Sequence, residues 1–473
     1  MSSDAAVIVG GGPAGLACGI ALLRNDPSRC VSIVEKERHP GGIAGGFRRE
    51  GLFFDYGSHR IHPSASGRVL ALLEGLPGLV LRRRRRNGRI LIRGRLLKFP
   101  PSPADALLRL PPGLSAGIAA DQIRGLLGQG HGGRSGIATF ADALESGMGA
   151  TMAREFYIPY ARKLWGLPAD GISAGLASRR VPSARPGGLL AKALGGLPLI
   201  SRLDPARYFR YPEGGFGSLA GALAREFESL GGELLTGSRA VSVSPAPGAG
   251  ATVSTAEGRS LPARFVVWAA PLDTLAGALS PSIPDSVRES AGGLGYRAMT
   301  LLYVTIEDGP YTGYDAHYFP DGPFAFSRMS EPRNYPAPAG PGRTGLCLEL
   351  PCATGDDSWR AGPDELLAEV QRGLASTPLP VPAVAGDSWV ERITHAYPVY
   401  RAGYEKDLEV FSDWISSLGC IIPVGRQGLF AHDNLHHAME TGLSAADRLS
   451  GPGFDREGWL RDLARFRSHC VSD

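Results

Sequence analysis

The sequence predicts an α/β fold built on a parallel sheet, and three stretches carry that expectation. In the first, Ala6 to Val9 read as a buried strand, glycines follow, and Ala14 to Leu23 carry the apolar spacing of a helix. In the second, Cys30 to Val34 read as another strand, ending on Glu35. The third is a further glycine-dense loop, His39 to Gly46, with alternating strand-like residues after it through Asp55. A strand, glycine turn, helix and second strand form the frame of a Rossmann-like dinucleotide site.

Gly10, Gly12 and Gly15 fall on the G-x-G-x-x-G spacing. The first glycine permits the tight turn, the second lets a pyrophosphate approach the backbone, and the third lets helix and strand pack closely. Pro13 and Ala14 then open a helix whose free N–H groups and dipole favour phosphate. Glu35, followed by Lys36, lies where a carboxylate grips a ribose hydroxyl; its charge disfavours a 2′-phosphate, so FAD or NAD is expected over NADP. The competing reading is a glycine turn with an unrelated surface glutamate. Gly41, Gly42, Ile43 and Ala44, with Gly57-Ser58-His59 beyond them, suit a longer cofactor that runs past more backbone than a nicotinamide dinucleotide.

A length of 473 residues implies two or more domains. A net charge of +4 is too small to indicate nucleic acid as partner. Cys18, Cys30, Cys347, Cys352, Cys420 and Cys470 show no C-x-x-C spacing, so neither zinc nor a disulfide framework is expected, and the setting is read as cytoplasmic. The first strand leaves no room for a signal peptide, and no apolar run reaches the ~18–20 residues of a membrane span.

Leu81 to Pro100 reads as a hairpin turning at Asn87-Gly88, the favoured type I′ pair, with Arg82 to Arg86 forming a solvated edge, an anion-binding wall or a contact for an acidic surface. Gly128 to Gly136 reads as a loop, and Thr151 to Trp165 and Pro186 to Ile200 as helices. Arg210 to Leu230 restarts the cofactor domain with a glycine turn and a helix, followed by strands at Ala240 to Ser244, Ala251 to Thr255 and Phe265 to Ala269. Strands of the second domain follow Gly295, and a helix from Leu435 to Leu449 closes the first. The expected architecture interleaves a Rossmann-like FAD-binding domain (1–75, 206–275 and 396–473) with an α+β substrate-binding domain (76–205 and 276–395).

The segments GGGPAGL, EKERHPGG, DYGSHRIHP, YARKLWGLPADGIS with RRVP, YPEGGFGSLAGALAREFESLGGEL, FSRMSEPRNY, AYPVY and GRQGLFAHDN occur in order over nearly the whole chain. Together they resemble the flavoprotein superfamily of amine oxidases, protoporphyrinogen oxidases and UDP-galactopyranose mutases. The resemblance implies FAD held without a covalent bond. It also implies hydride removal from a C–N, C–C or C–O bond of a medium-sized small-molecule substrate. Two alternatives stay open: a non-redox mutase acting on a sugar nucleotide, and a flavin-binding protein without turnover.

The resemblance also assigns residues. It places the backbone of Val241 on the adenine, Ala270-Pro271 at the exit from the cofactor domain, Phe99-Pro100 near the flavin, and Gly425-Arg426 beside the helix that begins at Asp433, Asn434 and Leu435. That helix start would stabilise charge at flavin N1 and O2, with Asp433 or Asn434 as cap. His59 and His62 follow a G-P-H-x-x-H pattern in which Ser58 replaces proline, and are placed near the ring. Arg328 and Arg426 match arginines that hold a diphosphate, which suggests an anionic substrate; an ion pair across the domain interface is the other reading. Tyr160, Lys163 and Trp165 match a segment beside the pocket. Ala184 (with Arg185 beside it), Phe430 and His432 depart from the mutase pattern. Cys347, Cys352, His436 and His437 show no ligand spacing, so no metal site is assigned, and the oligomeric state is not legible.

Overall fold

Five short strands form a parallel sheet in the order Ile421–Pro423, Phe265–Trp268, Ala6–Val9, Val31–Val34, Glu233–Leu235. The computed structural model describes residues 5–99, 105, 108–127, 139–180, 208–246, 248, 250–279, 283–320, 324–335, 342–384, 386–451 and 453–471. Ala6 to Val9 are all buried because both faces of the sheet are covered. Strand alternation sends Ala6 and Ile8 to one core with Leu16, Ile20 and Phe227, and Val7 and Val9 to another with Val243, Leu275 and Trp268.

A second, mixed sheet has seven strands in the order Ser388–Pro398, Tyr296–Gly309, Gly342–Cys352, Arg328–Ser330, Ala316–Tyr318, Gly88–Ile92, Arg95–Phe99. Leu366, Val370 and Leu374 of the helix Pro363–Ala375 pack on its Leu302, Val304, Leu346, Leu348 and Leu350. The chain therefore crosses repeatedly between the two sheets. Several intervening helices nevertheless bury against the parallel sheet: Leu144, Trp165 and Val287 share the core of Val266 and Trp268.

The arginine run departs from the hairpin expectation. Leu81–Arg85 pairs antiparallel with Tyr208–Pro212, while the hairpin joins Gly88–Ile92 to Arg95–Phe99. The turn falls on Arg93 (φ 49°) and Gly94 (φ 74°), which supply the two positive φ angles a type I′ turn requires. Asn87 instead donates from its side chain to the Gly313 carbonyl at 2.6 Å. Arg82, Arg83 and Arg85 are exposed, and Arg82 pairs with Glu213.

The stretch expected as one helix from Thr151 is Ala150–Met152, a π-turn at Ala153–Tyr157 and Ile158–Trp165. The readings at 128–136, 186–200, Pro100, Ala184 and Arg185 lie outside the described residues. Among the described residues, no helix is long and apolar enough to cross a membrane.

Candidate cofactor and active site

The opening turn and the second glycine loop face each other. Gly41 donates its N–H to the Gly11 carbonyl at 2.8 Å. Gly42 opens the 3₁₀ turn Gly42–Ala44, which includes Ile43, and a Cβ built on Gly42 would lie 3.5 Å from Gly12 Cα. Gly12 has extended backbone (φ −77°, ψ 176°), and a Cβ there would meet nothing within 4 Å. At Gly15 a Cβ would stand 2.1 Å from the Gly10 carbonyl oxygen. Gly15 is thus required by packing, whereas Gly12 borders open space at the N-terminus of the helix Pro13–Asn25.

Glu35 is buried at the end of its strand. Its carboxylate accepts from the N–H of Gly11 at 2.7 Å and of Glu37 at 2.9 Å. Burial raises its pKa, and these two bonds oppose that rise. A carboxylate has about four acceptor sites, so two remain for ribose hydroxyls. Lys36 points to solvent and pairs with Glu37 at 3.4 Å. Ser238 donates its N–H to the Glu35 carbonyl, and just beyond it the ladder register slips between Ala240 and Ser242. Val241 sits in that bulge, 44% exposed. Opposite, the backbone of Ala269 and Ala270 crosses within 3.1–3.3 Å of where a Gly10 Cβ would be.

Gly425 donates its N–H to Thr441 Oγ1 at 2.7 Å, and a Cβ on it would sit 2.7 Å from that of Ala14. The opening glycine turn and the Gly425 segment therefore pack directly together. Asn434 is the N-cap of the helix Leu435–Arg448, and its N–H donates to His437 Nδ1 at 3.4 Å. Asp433 lies one residue outside, so the cap is Asn434 alone. The first-turn N–H groups of such a helix have no intrahelical partner and can meet an electronegative ring edge.

Arg328 is bound to Glu349 through two hydrogen bonds of 2.8 Å, one each from Nε and Nη2. Burial alone would lower the Arg328 pKa, but Glu349 outweighs it and holds the group well above the usual value. The N–H of Ser58 also donates to Glu349 at 2.9 Å, and Ser58 Oγ lies 2.6 Å from the Tyr335 hydroxyl. A second buried pair joins Arg60 and Asp315 at 3.4 Å. Arg328 lies over Tyr318 at 5.8 Å, and Tyr160 meets the edge of that same ring at 6.5 Å. Phe99 stacks on Tyr318 at 4.0 Å.

Arg426 donates to the carbonyls of Asp433 at 3.2 Å and Ala396 at 2.9 Å, and lies over Tyr397 at 4.8 Å. Tyr397 stacks on His432 at 5.7 Å, and Trp165 donates from Nε1 to His432 Nε2 at 3.2 Å. Gly57, placed so that its Cβ would meet Glu349 at 3.2 Å, brings His59 into the same group. His59, Arg328 and Tyr160 thereby fall in one group around Glu349 and Tyr318, and Arg426 and Trp165 in another around His432; the two groups together make up the candidate site.

His62 does not join it. Its Nδ1 lies 2.6 Å from Ser64 Oγ, and its ring faces His436 at 5.9 Å. Sequence reasoning missed Glu349, Asp315 and Tyr335. Glu349 stands in the apolar run Leu346 to Leu350, where a lone carboxylate among buried strand residues was the available signal.

Burial, stronger than the opposing pull of Glu349, lowers the His59 pKa to about 4. The ring is neutral at pH 7 and donates from Nε2 to the Tyr56 carbonyl at 2.8 Å. Below pH ~6.5 the unfolded chain binds a proton here that the folded chain refuses. Its stabilising contribution is thus full above that pH and is lost as pH falls toward about 4. His317, lowered to about 4 by burial and Arg89, acts in the same sense; buried Asp55, raised to about 7, acts in the opposite one. A His59→Gln variant is expected to flatten the acid loss of stability between pH 6.5 and 4 by up to ~1.4 kcal/mol per pH unit, read from urea midpoints.

Two facing glycine loops, a buried carboxylate after the second strand and a separate mixed sheet define a Rossmann-like α/β protein with a second, seven-strand sheet. The chain belongs to the family described as flavin containing amine oxidoreductase, a family of FAD-dependent oxidoreductases, whose profile matches residues 13–450. No curated protein sequence matches it. Among solved structures it is similar to reduced UDP-galactopyranose mutase (TM-score 0.78, 20% identity, 99% of this chain and 98% of that one). It is also similar to a protein assigned as protoporphyrinogen oxidase from an Exiguobacterium species (TM-score 0.72, 18% identity, 95% and 99%). A third is putrescine oxidase bound to putrescine (TM-score 0.63, 16% identity, 94% and 98%). At these identities the likeness is one of fold.

Proposed function

We propose that this chain is an FAD-dependent oxidoreductase that removes hydride from a medium-sized small molecule. The observation that carries the reading is the cradle at Gly12, open on the side where a Cβ would project and faced by Gly42. In this reading 1–75, 206–275 and 396–473 bind the cofactor, and 76–205 and 276–395 bind the substrate. Bound FAD would supply the hydride acceptor. Glu35 would hold the ribose, the Gly10–Gly15 turn the pyrophosphate, Val241 the adenine and the Asn434–Leu435 helix start the pyrimidine edge.

The remaining residues position and shield. Arg426 ties the helix start to the mixed sheet through its two carbonyl bonds. Tyr318, Phe99 and Tyr160 form an aromatic wall that excludes water. His59, neutral at pH 7, serves as a fixed dipole beside the ring rather than as a proton store.

Redox chemistry is favoured over the sugar-nucleotide mutase because Glu349 already takes both prongs of the Arg328 fork. Phe430, packed edge-on against Tyr296, offers no hydroxyl where a mutase has tyrosine. The test is anaerobic mixing of the flavin-loaded protein with candidate amines, alcohols and acids. Bleaching of the flavin without dithionite is the expected result. Product isomerisation seen only after dithionite would assign the mutase, and silence in both arms across a broad panel would favour the non-catalytic reading.

A further inference from the structure

The fold brings residues from two separate parts of the chain to one point at the start of the helix Leu435–Arg448. The ligand-type atoms of Asp433, His437 and His469 all lie within 4.8 Å of one another. His469 Nδ1 is 3.5 Å, and His437 Nδ1 3.8 Å, from Asp433 Oδ1. Asp433 and His437 sit one turn apart at the helix start, while His469 returns from the C-terminal segment after the helix Arg456–Phe466. The rings of His437 and His469 lie face to face, with centroids 4.2 Å apart.

Asp433 marks this place as unfinished. Its side chain is 1% exposed, and among the described residues neither carboxylate oxygen has a hydrogen-bond partner. A buried carboxylate without donors is costly and calls for a positive partner. His469 and His437 approach it at 3.5 and 3.8 Å without forming a hydrogen bond to it. Neutral imidazole is the form that ligates metals.

We propose that Asp433, His437 and His469 form a site for a divalent transition-metal ion of the zinc type. Tetrahedral metal–ligand bonds of about 2.0–2.2 Å set ligand atoms about 3.3–3.6 Å apart, so the observed spacing of up to 4.8 Å closes with side-chain shifts of about 1 Å. Two imidazoles and one carboxylate select such an ion over calcium or magnesium, which prefer all-oxygen shells. The helix N-terminus opposes a cation with roughly half a charge, and the full charge of Asp433 outweighs it. His436, its ring 4.0 Å from that of His437, flanks the site and has a buried Nδ1 without a hydrogen-bond partner among the described residues. The site adjoins the Asn434–Leu435 helix start that the flavin reading uses, and in that reading none of its three ligands holds the cofactor.

The test is calorimetric titration of Zn²⁺ into the chelator-treated full-length protein, in its flavin-loaded form where it retains flavin. The variants are His469→Gln, His437→Gln and a control, His395→Gln, whose ring pairs with Asp273 elsewhere. One Zn²⁺ per chain, weakened at least tenfold in the folded His469→Gln or His437→Gln protein and unchanged in His395→Gln, is the expected result. No binding by the wild type, or binding that survives both cluster variants, overturns the proposal. Either cluster variant that folds, judged by circular dichroism, is sufficient for the comparison.

Discussion

Gly12→Val is expected to leave the fold and its unfolding midpoint nearly unchanged while abolishing flavin retention. The backbone at Gly12 is extended, a conformation open to any residue, and a Cβ meets no atom within 4 Å. The protein itself therefore gives a side chain no reason for eviction. The only cost falls on whatever occupies the gap facing Gly42, where an isopropyl group would displace a pyrophosphate from the helix N-terminus. Gly15→Val is the contrasting case, since its Cβ would collide with the Gly10 carbonyl and the fold itself should fail. Circular dichroism and the flavin-to-protein ratio, measured on the same samples, separate the two. A Gly12→Val protein that keeps full flavin would remove the cradle from the account.

Glu349→Gln is expected to lower stability by roughly 3–5 kcal/mol, the usual cost of leaving one member of a buried pair uncompensated. The change strips the carboxylate charge from Arg328 and weakens the acceptor that holds the Ser58 N–H. It therefore loosens the Gly57-Ser58-His59 segment as well as the mixed sheet. The double variant Arg328→Met with Glu349→Leu should regain most of the loss, because apolar replacement of a buried pair is often neutral. Denaturant midpoints decide this. If the single variant is as stable as the wild type, Arg328 is free to bind substrate and the argument against a diphosphate fails.

What the sequence made legible was local. The turn Gly10 to Gly15, the carboxylate Glu35 and the helix from Leu435 are written in spacings of a few residues; in the structure Glu35 binds the Gly11 N–H and Gly425 packs against Ala14. Helix and strand periodicity along Ala6 to Leu23 needs no distant partner to be read. Pairing between distant strands was not legible in this way. The run from Arg82 looked like half of a local hairpin, yet Leu81–Arg85 finds its ladder partner more than a hundred residues away at Tyr208–Pro212. Positive φ at Arg93 was equally hidden, because arginine gives no turn signal and Gly94 alone had to mark the corner.

The site divides along the same line. The glycine loops could be read from residue type, whereas the role of Arg328 depended on Glu349, which enters from a separate strand. The same holds for His437, whose neighbours Asp433 and His469 come together through helix geometry and the return of the C-terminal segment. Spacing along the chain gave no sign of that convergence. His62, close in sequence to His59, belongs to this second cluster because the chain bends between them.

We propose that an adenine-bearing flavin lies along the opening glycine turn. Equilibrium titration of the purified, flavin-stripped chain with FAD, followed by quenching of flavin fluorescence, tests it most directly. Saturation at one FAD per chain, with NADP failing to compete, is the expected result. A well-folded chain that remains colourless and takes up no FAD would contradict it.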